Sequence, residues 1–184
     1  MIETARSAFE ARRRSWLLWI VASTVGWVLG GALGGALTDS GGGSSGALVV
    51  AGGAIAAGVG QWLVLRGEID HAVRWILATI AAVPVVAGPV MVIDLLDWGS
   101  AVAIGGLALG TTQWLVLRRH ARRAGWWVVA STVGWIVGGL MSGATSPPAG
   151  WAVIGATYGI VTGTVLVVLL GDPDEDRGDG RRGA

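Results

Sequence analysis

The side chains within the apolar stretches of this chain that could do chemistry are neutral, a set of hydroxyls and carboxamides. Ser23, Thr24, Gln61, Thr79, Gln113, Ser131 and Thr164 stand at related places in successive segments. Such groups donate and accept hydrogen bonds. They can therefore tie helices together or line a path for a neutral solute. No ionisable residue lies clearly inside an apolar run. That argues against proton-coupled or charge-coupled transport, where buried carboxylates or histidines mark the path.

Other chemistries find little support. His71 and His120 are the only histidines, and both fall in polar connections where they are poorly placed to ligate a metal or pigment inside the membrane. The chain has no Cys, hence no disulfide or thiolate site, and no Lys, hence no Walker A phosphate site. Gly42-Gly43-Ser44-Ser45-Gly46 matches the Gly-x-Ser-x-Gly pattern of a nucleophile elbow. The elbow needs a strand before it, a helix after it, and a His and an acid at hand, and none of that context is present. There is no His-Glu-x-x-His. Catalytic residues, metal ligands and cofactors are thus expected to be absent, and the chain reads as a protein other than an enzyme.

The recurring polar residues belong to recurring words. Val-Ala-Ser-Thr-Val-Gly-Trp occurs at 21–27 and again at 129–135, and Gln-Trp-Leu-Val-Leu-Arg at 61–66 and 113–118. Trp19–Ser23, Trp75–Thr79 and Trp127–Ser131 share one further pattern, Trp-Ile/Val-Val/Leu-Ala-Ser/Thr. These words divide the chain into three units, each a pair of apolar segments. In the third, Thr164-Val165-Leu166 stands where the others have Gln-Trp-Leu, so the Gln, the Trp and the terminal Arg are lost.

The segments that carry these words are membrane spans. Hydrophobic residues make up 53% of the 184 and charged residues 14%, where a soluble domain carries roughly 25% charge. The charges leave six runs untouched, 16–37, 47–65, 75–93, 98–117, 124–142 and 149–170. Each is near the ~20 residues that cross a bilayer as a helix. The runs are continuously apolar and do not alternate, which disfavours a membrane β-barrel. The expected fold is an all-α membrane protein of six transmembrane helices, built as three tandem helical-hairpin repeats. A basic arm, 1–15, precedes the 16–170 membrane domain, and residues 1–14 read as a short helix lying on the membrane surface. The tail, 171–184, is charged, poor in apolar residues and expected to be disordered. The first run has the basic start of a signal peptide, but it is longer than such a core and its words recur at 126–140, so it reads as a permanent helix.

Glycine and proline suggest how the spans pack. Small residues recur every fourth position, as Gly26, Gly30 and Gly34, Gly52, Ala56 and Gly60, Gly106 and Gly110, Gly134 and Gly138, and Gly155, Gly159 and Gly163. That spacing makes one smooth helix face on which a neighbour can lie closely. The third span alone carries Pro84 and Pro89, which read as a tolerated kink or as a hinge. Trp16, Trp19, Trp62, Trp75, Trp114, Trp126 and Trp127 cluster at one end of the spans and Trp98 and Trp151 at the other, the pattern of interfacial belts. Trp27 and Trp135 fall near mid-membrane, where a bulky side chain facing a glycine groove or a ligand-lining indole would both fit.

All 13 basic residues are Arg. With six spans, all lie on one side, and the other side has Asp39, Asp94 and Asp97. The positive-inside rule then puts both termini in the cytoplasm. Arg118, Arg119, Arg122 and Arg123 form the densest cluster, which sets topology and can touch anionic lipid or a partner.

The Trp-x-x-Ala-Ser-Thr-x-Gly-Trp and Gln-Trp-Leu-Val-Leu-Arg words, with the glycine-rich spans, resemble an uncharacterised group of bacterial multi-pass membrane proteins. The resemblance covers residues 16 to about 170 and implies a fold and a bacterial inner-membrane location, with no assigned activity. The reading is a structural or interaction protein of that membrane, with a small channel or transporter for a neutral solute as the alternative. The bilayer, anionic lipids, further copies of the chain and other membrane proteins are the partners this implies, and nucleic acid is not among them. The topology is directly testable, because a chain without Cys has no labelling background. Ser7→Cys should react with an impermeant maleimide only after cell lysis, and Ser44→Cys in intact cells. The reverse pattern would invert the orientation.

Overall fold

A computed structural model describes residues 2–38, 45–91, 98–145 and 147–171 of the chain. Six helices account for nearly all of them: α1 (Ile2–Thr38), α2 (Ser45–Leu65), α3 (Val73–Met91), α4 (Trp98–Leu117), α5 (Gly125–Ser142) and α6 (Pro147–Leu170). Among the described residues there is no strand. Five helices contain stretches long and apolar enough to cross a membrane, namely Phe9–Gly34, Leu48–Leu65, Gly99–Leu117, Gly125–Ser142 and Ala149–Leu170. The apolar stretch of α3, Val73–Gly88, is shorter. Many Leu, Val and Ile side chains stay exposed on the outer faces of these helices, among them Leu33, Leu77, Leu107, Leu140 and Val168. A helix apolar on every side belongs in lipid, and the chain is a multi-pass membrane protein.

The helices form a closed ring. Each packs on its two neighbours in sequence, α1 on α2 through to α5 on α6, and α6 returns to α1. Among the described residues no helix backbone approaches another across the ring. The three hairpins thus stand around one axis, and their inward side chains fill it in two apolar layers. One layer, at the arginine-bearing end, holds Trp19, Trp75, Trp127, Leu65 and Leu117; the other holds Trp27, Trp135, Val86, Ile154 and Tyr158.

Glycine makes the seams close. A Cβ on Gly26, Gly30 or Gly34 would run into Ala57, the Gly53 backbone or Val49 of α2. Gly155 and Gly159 bring α6 to the backbone of α1, where an added Cβ would stand 2.7 Å from Thr24 Cα and 2.9 Å from Ile20 Cα. Gly106 and Gly110 face Thr132 and Val128 of α5, and Gly134 and Gly138 face Tyr158 and Ile154 of α6. The seams on either side of α3 have no such stripe and are the loosest in the ring. Pro84 lies on the exposed face of α3, and the helix runs through it from Val73 to Met91 without interruption.

Two connections share one turn. After α2, the Leu65 carbonyl accepts hydrogen bonds from the N–H groups of Glu68 and Ile69; after α4, Leu117 accepts from His120 and Ala121. Ile69, Ala72, Ala121 and Ala124 are buried against the tryptophan layer, so these turns help to close that end of the ring. His71 takes a left-handed backbone, φ 53°, within the first of them.

The N-terminal arm differs from the surface-lying helix read from the sequence. Helix α1 continues unbroken over 37 residues, about 55 Å at ~1.5 Å per residue, against a hydrocarbon core of ~30 Å. Residues 2–15 contain no Gly or Pro to end it and are rich in Ala, Arg and Glu, strong helix formers. Arg6 and Glu10, one turn apart, add an ion pair of 3.3 Å. The 39–44 connection, Asp39, Asp94, Asp97 and the tail from 172 lie outside the described residues.

The seam geometry generates a differential test. Gly30→Ala and Gly155→Ala should each destabilise the fold by about 1–3 kcal/mol through overpacking. Gly88→Ala, with nothing within 4 Å of the added methyl, should be neutral or stabilise by up to ~1 kcal/mol, the helix-propensity gain. Thermal unfolding in one mild detergent distinguishes the three, and equal responses would contradict the close-seam account.

Candidate functional site: the axial tryptophan and glutamine layer

Trp19, Trp75 and Trp127 open their respective repeat words, and one indole from each odd-numbered helix reaches the axis. All three are fully buried. Their ring centroids are 5.6, 5.7 and 5.3 Å apart, with interplanar angles of 73° to 84°. Edge-to-face geometry sets the positive rim of one ring against the negative face of the next and adds about 0.5–1.5 kcal/mol per pair beyond burial. Their places near span ends suggest interfacial belts; they are instead the packed centre of the ring. Trp16, Trp62 and Trp114 are half-buried and Trp126 is exposed. The separating signal was recurrence, since only Trp19, Trp75 and Trp127 precede a hydroxyl by four residues in all three units.

Each indole N–H needs an acceptor, and the recurring polar residues supply it. Trp75 Nε1 donates to Gln61 Oε1 at 3.1 Å, and Trp127 Nε1 donates to Gln113 Oε1 at 3.1 Å. An indole N–H can only donate, so the amide oxygen must face it and the amide nitrogen turns the other way. Gln61 Nε2 accordingly donates to Ser23 Oγ at 3.0 Å and Gln113 Nε2 to Thr79 Oγ1 at 3.1 Å. The Thr79 hydroxyl passes its own proton to the Trp75 carbonyl at 3.0 Å. Each Gln thereby bridges the odd helix before it and the odd helix after it. Gln61, Gln113, Ser23 and Thr79 are all buried.

The third unit solves the problem differently. Trp19 Nε1 donates to Thr162 Oγ1 at 3.0 Å, and that hydroxyl donates to the Tyr158 carbonyl. Tyr158 Oη donates to Gln113 Oε1 at 3.2 Å, giving this one oxygen two donors. Ser131, which matches Ser23 and Thr79, is fully buried; its Oγ lies near the Tyr158 hydroxyl but makes no well-formed hydrogen bond. Ser23 and Thr79 each receive an amide proton from a Gln, and α6 has no Gln to offer. Among the described residues the other orphan of this kind is Trp135 Nε1, also on α5.

The remaining sequence candidates lie elsewhere. Thr164 is exposed on the outer face, where it accepts from Trp16 Nε1 at 3.2 Å and donates to the Ile160 carbonyl. Thr24 turns back to the Ile20 carbonyl of its own helix. Thr162 and Tyr158 do what was expected of Thr164, and no repeat word marks them. Trp27 and Trp135 meet edge-to-face at 5.0 Å, and Trp27 stacks on Trp151 at 5.9 Å. Gly53 gives Trp27 its place, since a Cβ there would stand 2.5 Å from the indole. Arg118 lies over the Trp114 ring and Arg66 over Trp62, at 5.2 and 5.9 Å. Arg119, Arg122 and Arg123 are exposed. Among the described residues no group of three or more His, Cys, Asp or Glu converges on a point.

No family model, curated protein or solved structure matches the chain.

Three matching hydroxyls in three different states give a sharp prediction. Ser23→Ala and Thr79→Ala each leave a buried Gln amide donor unpaired and should cost about 1–3 kcal/mol. Ser131→Ala removes an orphan and should be neutral or stabilising. Gln113→Leu, which strips three partners, should cost more than Gln61→Leu, which strips two. A Thr79→Ala, Gln113→Leu cycle should show coupling of about 0.5–1.5 kcal/mol. Thermal melts in detergent measure all of these, and a Ser131→Ala loss as large as that of Ser23→Ala would break the assignment.

Proposed function

We propose that this protein is a structural or interaction component of a bacterial inner membrane, with both termini cytoplasmic, and that it has no enzymatic or channel activity. The observation that carries this reading is the filled axis. Three fully buried indoles meet where a pore would run. The carboxamides that could have lined a path spend their hydrogen bonds on indoles and hydroxyls of neighbouring helices. A solute would have to part those bonds and the rings. The exposed features are instead a long basic helix and the cluster of Arg119, Arg122 and Arg123, surfaces suited to a second membrane protein or a further copy of the chain.

One observation favours the alternative, a carrier for a neutral solute. Ser131 Oγ and Trp135 Nε1 are buried without partners on the same helix. Unpaired polar atoms in a membrane interior are costly, and a small polar ligand could satisfy them.

Flux through liposomes separates the readings. The purified protein should pass neither potassium, protons nor small neutral solutes, and a membrane partner should copurify with it in mild detergent. That partner should be lost when Arg118, Arg119, Arg122 and Arg123 are changed to Gln in a variant shown to keep its topology. Reproducible flux of a neutral solute that collapses in a Gln61→Leu, Gln113→Leu variant would replace the scaffold with the carrier.

A further inference from the structure

On the outer wall of the ring, between α3 and α4, there is an open crevice of about 330 Å³. Its lower walls are Leu77, Ala81 and Leu115, and its upper rim is Arg74, Arg119 and His120. Leu77 and Leu115 are exposed, so the crevice opens outward to where lipid lies. It occupies one of the two seams flanking α3 that lack a glycine stripe.

The rim is cationic and uncompensated. Neither Arg74 nor Arg119 has an ion-pair partner among the described residues, where the sole salt bridge is Arg6–Glu10. Arg118 is held over Trp114. His120 Nδ1 meets the Val116 carbonyl at 3.2 Å. A carbonyl only accepts, so Nδ1 carries the proton in that bond and Nε2 is left for another partner. The repeat supplies an internal comparison. Aligning the shared words puts Leu18, Gly67 and Glu68 of the first hairpin in register with Arg74, Arg119 and His120. Those three positions hold no cation; the acid among them accepts from Ser15 Oγ at 2.9 Å and lines a separate pocket with Arg12. The basic rim is therefore a property of the middle hairpin and not of the repeat.

We infer that the α3–α4 crevice binds one anionic glycerophospholipid, its phosphate held by Arg74 and Arg119 beside His120 and an acyl chain laid along Leu77, Ala81 and Leu115. Both halves of the crevice are needed for that choice. A soluble anion would leave the apolar wall uncovered, and a choline headgroup would bring its own cation against two arginines. Basic pockets between transmembrane helices hold anionic headgroups in this way, and an Arg fork matches a phosphate in geometry as well as charge. The inference goes beyond the proposed scaffold role and does not depend on it, since a carrier with this wall would bind the same lipid.

Native mass spectrometry of the full chain in mild detergent, with dioleoyl phosphatidylglycerol and dioleoyl phosphatidylcholine in competition, tests the site. The wild type should retain phosphatidylglycerol at least tenfold over phosphatidylcholine. Arg74→Gln with Arg119→Gln should abolish that preference, and Arg122→Gln with Arg123→Gln, the same change of charge outside the crevice, should leave it intact. Ala81→Phe fills the apolar wall while keeping every cation, and it should also reduce retention. Preference surviving in the Arg74, Arg119 variant, or falling equally in the Arg122, Arg123 variant, would overturn the site. So would Ala81→Phe behaving as wild type, or glycerol 3-phosphate displacing the lipid.

Discussion

Six helices whose backbones approach only their ring neighbours enclose a space about one helix wide, roughly 8–10 Å across at ordinary helix spacing. In a bilayer that space must be a pore, a void or packed side chains, and this chain packs it. The indoles of Trp19, Trp75 and Trp127 occupy the axis at one depth and those of Trp27 and Trp135 at the other. The glycine stripes are the complement of this arrangement. By drawing α1 onto α2 and α6 and α5 onto α4 and α6, they narrow the ring until large side chains can close it. Small residues on the circumference and large ones on the axis are two halves of one packing solution.

Filling an axis with tryptophan brings a second requirement, because every indole carries a donor that lipid cannot satisfy. The Gln–hydroxyl bridges answer it for Trp75 and Trp127, and they join α1 through α5 in doing so. The third unit has no Gln, and Thr162 takes its place for Trp19. The substitution is incomplete, for it serves the indole and abandons Ser131. Departure from strict threefold symmetry is thus visible as one unsatisfied hydroxyl.

Much of the fold was legible because it rests on length and polarity. The span read as 98–117 coincides with α4, and the span read as 75–93 lies two residues from α3. The start of α1 was not legible, since a charge marks where the membrane ends but does not stop a helix. At the candidate site, the repeat words identified Ser23, Gln61, Thr79 and Gln113 because identical words must serve identical contacts. Thr162 and Tyr158 carry no repeat signal, and their roles depend on which face of α6 turns to α1 and to the axis. The tryptophans misled for a related reason. An indole at the end of a span looks the same in sequence whether it faces headgroups or the axis.

The ring closes between its first and last helices, and that order matters during synthesis. Trp19 emerges early, while its acceptor Thr162 and the surfaces of Gly155 and Gly159 come at the end of the chain. At roughly 5–20 residues per second, about 7–30 s separate the two. Through that interval the first span waits in the membrane with a glycine face half covered and an indole donor unpaired, while α2 can join it almost at once. The nascent protein is therefore an open arc before it is a ring, and the arrival of α6 is the event that commits it.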